Sequence, residues 1–256
     1  MKQIYYTILL VLAISMASSA GIRAQEASDN FKKGTELYSA GKYQEAIDAW
    51  MTLYNSGYRS AAIDYNIGNA WFKLGNVPGS VLFYERAQLL DPSDEDISYN
   101  LQIARTLAVD KFKEIPELFF ITWFNFLSLY LSSNTWAIVG LITFILFLVM
   151  LSLYLYSKNF RLKVIGFWTA LFLLLFSILS VSMSARNNKL VNRSDMAIIM
   201  SPQVNGKSSP DQSGTDLFLL HEGTKVTVGD KVGDWYEIRL SDGNKGWVPS
   251  NCLEKL

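Results

Sequence analysis

Two side chains in this sequence have the chemistry of a nucleophile or a general base near neutral pH, Cys252 and His221, and each type occurs once. A thiol attacks as a thiolate beside a base, and an imidazole activates a hydroxyl only within hydrogen-bond reach. His221, followed by Glu222 and Gly223, reads as a strand-to-turn junction with no cysteine near it. Cys252 stands four residues from the end of the sequence. No cluster of metal ligands, no glycine-rich phosphate loop and no carboxylate pair in a defined context accompanies them. The expectation is therefore no catalytic residue, no cofactor and no metal. A lone cysteine also excludes an internal disulfide. Lys and Arg total 23 and Asp and Glu total 23, so no bulk charge points to a nucleic acid.

What remains is chemistry of recognition, carried by aromatic rings and amides, and a repeat positions them. Gly34-Thr35-Glu36-Leu37-Tyr38 and Gly41 recur as Gly68-Asn69-Ala70-Trp71-Phe72 and Gly75 at an offset of 34 residues, with Ala46 matching Ser80 and Trp50 matching Tyr84. Small residues facing large ones at a fixed period let paired helices approach closely. Asn76 reads as an N-cap, Pro78 fits a first turn and Asp91-Pro92 ends a helix. The copy over 61–94 resembles the tetratricopeptide repeat, with Ala87 and the proline in place. The copy over 27–60 is weaker, with Leu53 and Tyr58 at those positions. A further helix from Asp96 to about Glu114, with Ile97, Leu101, Ala104 and Leu107 on one face, is expected to cover the open end, so the helical unit spans 27–114. The resemblance implies a concave groove for a peptide or a partner's helix, with Phe31, Thr35, Tyr38, Tyr65, Asn69 and Phe72 facing it and Lys73 at its edge. Members that clamp a terminal carboxylate carry basic and asparagine residues at set places; Asn66 and Asn69 fit loosely, but Phe31 and Thr35 stand at two of those places.

Other elements place the repeats. Lys2, the apolar run Ile4 to Ser15 and small residues to Ala20 read as a signal peptide over 1–24, cleaved after Ala20 or after Ala24. Segments 136–156 and 164–184 are uncharged and long enough to span a bilayer. The linking segment 157–163 carries Lys158, Arg161 and Lys163 and no acid, which assigns it to the cytoplasm and both ends to the outside. The spans hold no ionisable residue, which disfavours transport chemistry. Segment 115–135, rich in Phe and Tyr, reads as a helix at the lipid headgroups or packed on the first span.

Beyond Arg193 the pattern becomes short strands: 197–199, 217–221, 225–228, 235–240 and 246–248, with turns at Gly229-Asp230, Val232-Gly233-Asp234 and Ser241 to Asn244. Gln203 to Gly214 reads as a mobile surface loop. Gly233-Asp234-Trp235-Tyr236 and Gly246-Trp247-Val248-Pro249 closely resemble bacterial SH3 domains over 194–256. That family's barrel binds cell-wall peptides or proteins. Trp235 and Trp247 serve either as core or as a ligand platform.

The fold class expected is thus multidomain: an all-α tetratricopeptide-type repeat, a two-helix transmembrane hairpin and a small all-β SH3-like barrel. This order resembles the BatE-type aerotolerance operon proteins of Bacteroides and relatives. That resemblance implies an inner-membrane scaffold with both modules periplasmic, in company with von Willebrand A-type membrane proteins and the lipid bilayer. The alternative is a peptidoglycan-binding anchor that recruits exported proteins.

Overall fold

The computed structural model describes residues 27–112, 118–191 and 195–256; the expected signal peptide lies outside the described residues. Local capping sets the first helices. After α1 (27–39) and α2 (Tyr43–Asn55), the Ser60 hydroxyl accepts the Ile63 N–H at 3.2 Å and opens α3 (Ala61–Lys73). Asn76 Oδ1 accepts the Gly79 N–H at 2.7 Å and opens α4 (Val77–Leu90), and Asp94 does the same for α5 (Glu95–Leu107). Each cap satisfies N–H groups that lack a helical partner. Gly41 and Gly75 sit at φ +77° and +74°, where a side chain would be strained, and turn the chain back between paired helices.

The 34-residue period is a packing period. A Cβ on Gly68 would lie 2.7 Å from Tyr84 Cδ1, and one on Gly34 would collide with the Trp50 indole. Each glycine lets an aromatic ring lie flat on the preceding helix, in α1/α2 and again in α3/α4. Trp50, Ile67, Leu82, Tyr84 and Leu101 form one core beneath these pairs; α5 covers the stack but ends at Leu107, where the expected helix ran to about Glu114, because Ala108 turns extended.

Asp64 sits at the edge of this core, 2% exposed, and its Oδ1 has no hydrogen-bond partner. Burial pushes its carboxyl up to about 6, against the pull of Arg86 and Arg59. An acid with a raised folded pKa makes the fold less stable as pH rises from its unfolded value, near 4, through about 6. Asp64→Asn is expected to stabilise the chain at pH 7.5 by about 2 kcal/mol and to remove that slope. Urea unfolding of both proteins at pH 5 and 7.5 measures it; parallel slopes would refute the assignment.

Among the described residues two helices are long and apolar enough to cross a membrane, α7 (Ser133–Tyr156) and α8 (Phe160–Val191). Their contact uses small residues. Ser177 Oγ donates to the Gly140 carbonyl at 2.9 Å, Ser133 and Ser184 exchange hydrogen bonds, and Gly166 lies against the Tyr154 backbone. Both helices exceed the expected 136–156 and 164–184. Asn159 Oδ1 accepts the Arg161 N–H at 2.9 Å, so Arg161 and Lys163 belong to the first turn of α8 and not to a 157–163 loop. At its other end α8 is prolonged because Arg186 and Asn187 find acceptors on α6 (Phe119–Leu129). Within the expected 115–135 segment, that helix packs chiefly on the second span rather than the first.

The C-terminal strands are β1 (Met196–Ile199), β2 (Gln203–Lys207), β3 (Asp216–His221), β4 (Lys225–Val232), β5 (Trp235–Arg239), β6 (Lys245–Pro249) and β7 (Leu253–Lys255). They form one antiparallel sheet in the order β3-β2-β6-β5-β4-β1-β7. Gln203–Lys207 corrects the loop expectation: it is a polar strand with no apolar alternation, held by pairing with β3 and β6. Gly229-Asp230 is not a turn but an irregularity within β4, where the register shifts between Val228 and Lys231.

β1 joins the two halves. Side chains alternate along a strand, so Ala197 and Ile199 enter the core of the sheet, while Ile198, at 0% exposure, enters the core of the helices. The modules therefore share a strand rather than hanging as separate bodies.

Candidate functional site

Five of the seven groove residues expected from the repeat meet around one cleft of about 330 Å³: Tyr38 from α1, and Tyr65, Asn69, Phe72 and Lys73 from α3. Tyr84, Asn100 and Ile103 complete it from α4 and α5. A hydrogen-bond network fixes its floor. The Tyr84 hydroxyl donates to Asn69 Oδ1 at 2.7 Å, and Asn100 Nδ2 donates to the same oxygen at 3.1 Å and to the Tyr65 hydroxyl at 2.8 Å. Asn69 Oδ1 is thus saturated, and what this residue offers a ligand is its amide N–H₂. Burial raises the Tyr38 and Tyr84 hydroxyls above the usual tyrosine range, so both stay neutral at physiological pH. The cleft presents aromatic faces, amide and hydroxyl groups and the exposed ammonium of Lys73, a chemistry suited to peptide backbone and apolar side chains.

Phe31 and Thr35 do not line it. Phe31 packs against the helical core, and its carbonyl accepts from Trp50 Nε1 at 3.2 Å and from the Thr35 hydroxyl at 3.0 Å. Sequence reasoning missed Asn100, which lies on α5 at the edge of the face of Ile97, Leu101 and Ala104, three residues after the first and four before the last. A polar amide on a helix needed only as a cover was the available signal.

A second cleft, of about 420 Å³, lies on the sheet between Gln203, Asn205 and Lys207 of β2, Leu219 of β3, Trp235 of β5 and Pro249 of β6. Trp235 and Trp247 are both half-buried and stand outside the core of Ala197, Ile199, Leu220, Val226, Ile238 and Val248. Trp235 lines this cleft, and Trp247 lies beside Lys207 in the β2–β6 pairing. Lys207 is engaged by Asp216 at 2.8 Å and by the Gly214 carbonyl.

The surface between helices and sheet is held by charge. Glu85 on α4, its side chain 3% exposed, is reached by Lys225 Nζ at 2.6 Å and by Arg105. Arg86 donates to Glu254 Oε1 at 3.0 Å and to the Lys255 carbonyl at 2.6 Å. After α5, Asp110 accepts the His221 N–H and the Thr224 hydroxyl, each at 2.7 Å, and meets His221 Nδ1 at 2.8 Å. Burial would raise the Asp110 carboxyl, but those bonds outweigh it and hold it below the usual range. Phe112 then packs into the sheet core.

His221 is therefore an interface residue, and its Nε2 faces the Gln203 amide at 3.3 Å. Cys252 is buried, donates its S–H to the Pro249 carbonyl, and has its thiol pushed up to about 11 by burial. Such a thiol stays protonated. Among the described residues no group of three or more His, Cys, Asp or Glu could hold a metal ion.

Residues 204–254 match the bacterial SH3 domain family. No curated protein matches the chain. The matched segment begins beyond β1, so the strand shared with the helices lies outside it.

Proposed function

We propose that this chain is a non-catalytic scaffold of the BatE type, anchored in the bacterial inner membrane by the α7/α8 hairpin. Lys158, Arg161 and Lys163 face the cytoplasm, and both binding modules stand on the periplasmic side. The tetratricopeptide-type cleft holds a peptide segment of a partner, and the SH3-like barrel a second contact. The resemblance supports von Willebrand A-type membrane proteins as partners in an aerotolerance-associated envelope complex. Tethering at one membrane surface raises the effective concentration of weak partners. The observation that carries this reading is the convergence of Tyr38, Tyr65, Asn69, Phe72 and Lys73 on one cleft beside two apolar helices.

The match over 204–254 and the Trp235 cleft support a second reading, a peptidoglycan-binding anchor. One experiment separates them. A photo-crosslinker at position 103, on the rim of the helical cleft, is expected to capture a membrane protein in native membranes. Lys73→Glu combined with Phe72→Ala should cut that capture at least about tenfold, as loss of an interface anchor does. Binding of the full chain to purified sacculi, abolished by Trp235→Ala and with no membrane protein captured, would replace the scaffold by the anchor.

A further inference from the structure

The sequence of α6, Phe119–Leu129, contains no charged residue, yet the helix is not buried. Phe119, Trp123, Phe126 and Tyr130 are 84%, 65%, 67% and 62% exposed. Their spacing of four, three and four residues places them on one helical face. The opposite face is fixed. Asn125 Oδ1 accepts Arg186 Nε at 2.9 Å and Nη2 at 2.6 Å. The Ser128 carbonyl accepts Trp136 Nε1 and Asn187 Nδ2, each at 3.1 Å. These bonds come from the start of α7 and the end of α8, so α6 cannot roll to hide its aromatic rings.

We infer that the Phe119–Trp123–Phe126–Tyr130 face of α6 is a lipid-binding surface, seated at the headgroup boundary of the bilayer that α7 and α8 cross. The inference rests on the hairpin reading above. Three observations choose lipid over a protein partner or a second copy. The helix is fixed to the start of α7 and the end of α8, a turn or so from where the exposed apolar belt of the hairpin begins at Ile138 and Val181. The face consists of Phe, Trp and Tyr, the residues whose rings suit the boundary between headgroups and acyl chains. None of its four residues is charged; its Phe126 and Tyr130 end also borders a cleft of about 600 Å³ shared with Glu85, Glu95 and Lys225, whereas Phe119 and Trp123 stand clear of that cleft. Because α4 packs against α8 and β1 against the helical core, a seated α6 would set the tilt of the helical unit and the sheet together. The repeat cleft would then stand at a fixed attitude to the membrane instead of swinging on a linker.

The full chain, reconstituted in phosphatidylcholine nanodiscs with Cys252→Ser, tests this through nitroxide labels at positions 123 and 126. Label 144, mid-span on α7, and label 99, exposed on α5, are the references. Collision with a nickel chelate at 123 and 126 is expected to fall about tenfold below that at 99, with oxygen collision raised, as for groups seated at the lipid boundary. Added salt should not change it, since rings and not charges make the contact. Tryptophan quenching by lipids brominated near the headgroup, compared between the unlabelled chain and Trp123→Phe, gives the same answer without a label on α6. Nickel access at 123 and 126 equal to that at 99, with 144 lipid-like, overturns the inference and leaves the hairpin standing. Labels shielded from both reagents mean a protein-covered face and also overturn it. A water-like 144 refutes the hairpin and this inference together.

Discussion

Replacing Glu85 with alanine is expected to cost about 3 kcal/mol and to loosen the sheet from the helices, because it strips the counter-charge from two cations at once. Lys225 reaches the carboxylate from β4 and Arg105 from α5, so a single buried group ties three elements. Lys225 and Arg105 side chains retain 33% and 46% exposure and can turn toward water, which keeps the cost at the low end of the roughly 3–5 kcal/mol range for a broken buried pair. Lys225→Met separates docking from helix stability, since Arg105 remains for Glu85. A double-mutant cycle of Glu85→Ala and Lys225→Met should give a coupling of at least about 1.5 kcal/mol, and additivity within about 0.5 kcal/mol would sink the claim. Burial alone would raise the Glu85 carboxyl; Lys225 and then Arg105 outweigh it and hold it below the ordinary glutamate value. Its contribution is accordingly complete above about pH 4.5 and lost as pH falls through the lower folded pKa. Hydrogen exchange across β1 and residues 108–112 reads the loosening directly.

Trp50→Ala is expected to remove about 4 kcal/mol, the range for a large aromatic truncated in a packed core. Trp50 is 1% exposed, covers Gly34 and donates to the Phe31 carbonyl. Gly34→Ala alone should cost about 1–2 kcal/mol, because the collision with the indole exceeds the gain of about 1 kcal/mol from alanine's helix propensity. In the Trp50→Ala background the same substitution should reverse sign and stabilise by about 1 kcal/mol, since only the propensity gain remains. Urea unfolding followed by proteolysis, on the full chain in nanodiscs, measures all three. A Gly34→Ala effect independent of residue 50 would show that the 34-residue match is not a packing period.

The repeat and five residues of the cleft were legible for the same reason, and of the caps Asn76 was. Gly34 against Trp50 and Gly68 against Tyr84 are contacts of 16 residues, set by a helix, a turn and a helix of repeating length. Tyr38, Tyr65, Asn69 and Phe72 follow from that register. Phe31 and Thr35 departed from it: the Trp50 indole takes the Phe31 carbonyl, and the Phe31 ring goes with the core instead of the cleft. The strand Gln203–Lys207 was hidden because Val204 alone among its five residues favours a strand and no apolar alternation surrounds it; its neighbours β3 and β6 supply the rest. Trp235 and Trp247 could be read either way from sequence, and only the placement of Ala197, Ile199, Val226 and Ile238 in the core left both rings at its margin.

Elements whose cause lies within a few turns of the chain are legible in its residues. These are the paired helices, capped by Ser60, Asn76 and Asp94, the two apolar helices with Lys158, Arg161 and Lys163 at their junction, and the run of short strands with glycine turns. That these units are joined follows only from contacts between distant segments. Arg86 meets the Lys255 carbonyl 169 positions away, and Asp110 meets His221 across 111. Neither partner carries a local sign of the other, because a charge at the surface and a charge at an interface have the same spelling. One trace was present: Ile198 and Ile199 are adjacent and both apolar, and in a strand adjacent residues face opposite sides. A strand apolar on both sides must be covered on both, and in this chain the helices supply the second cover.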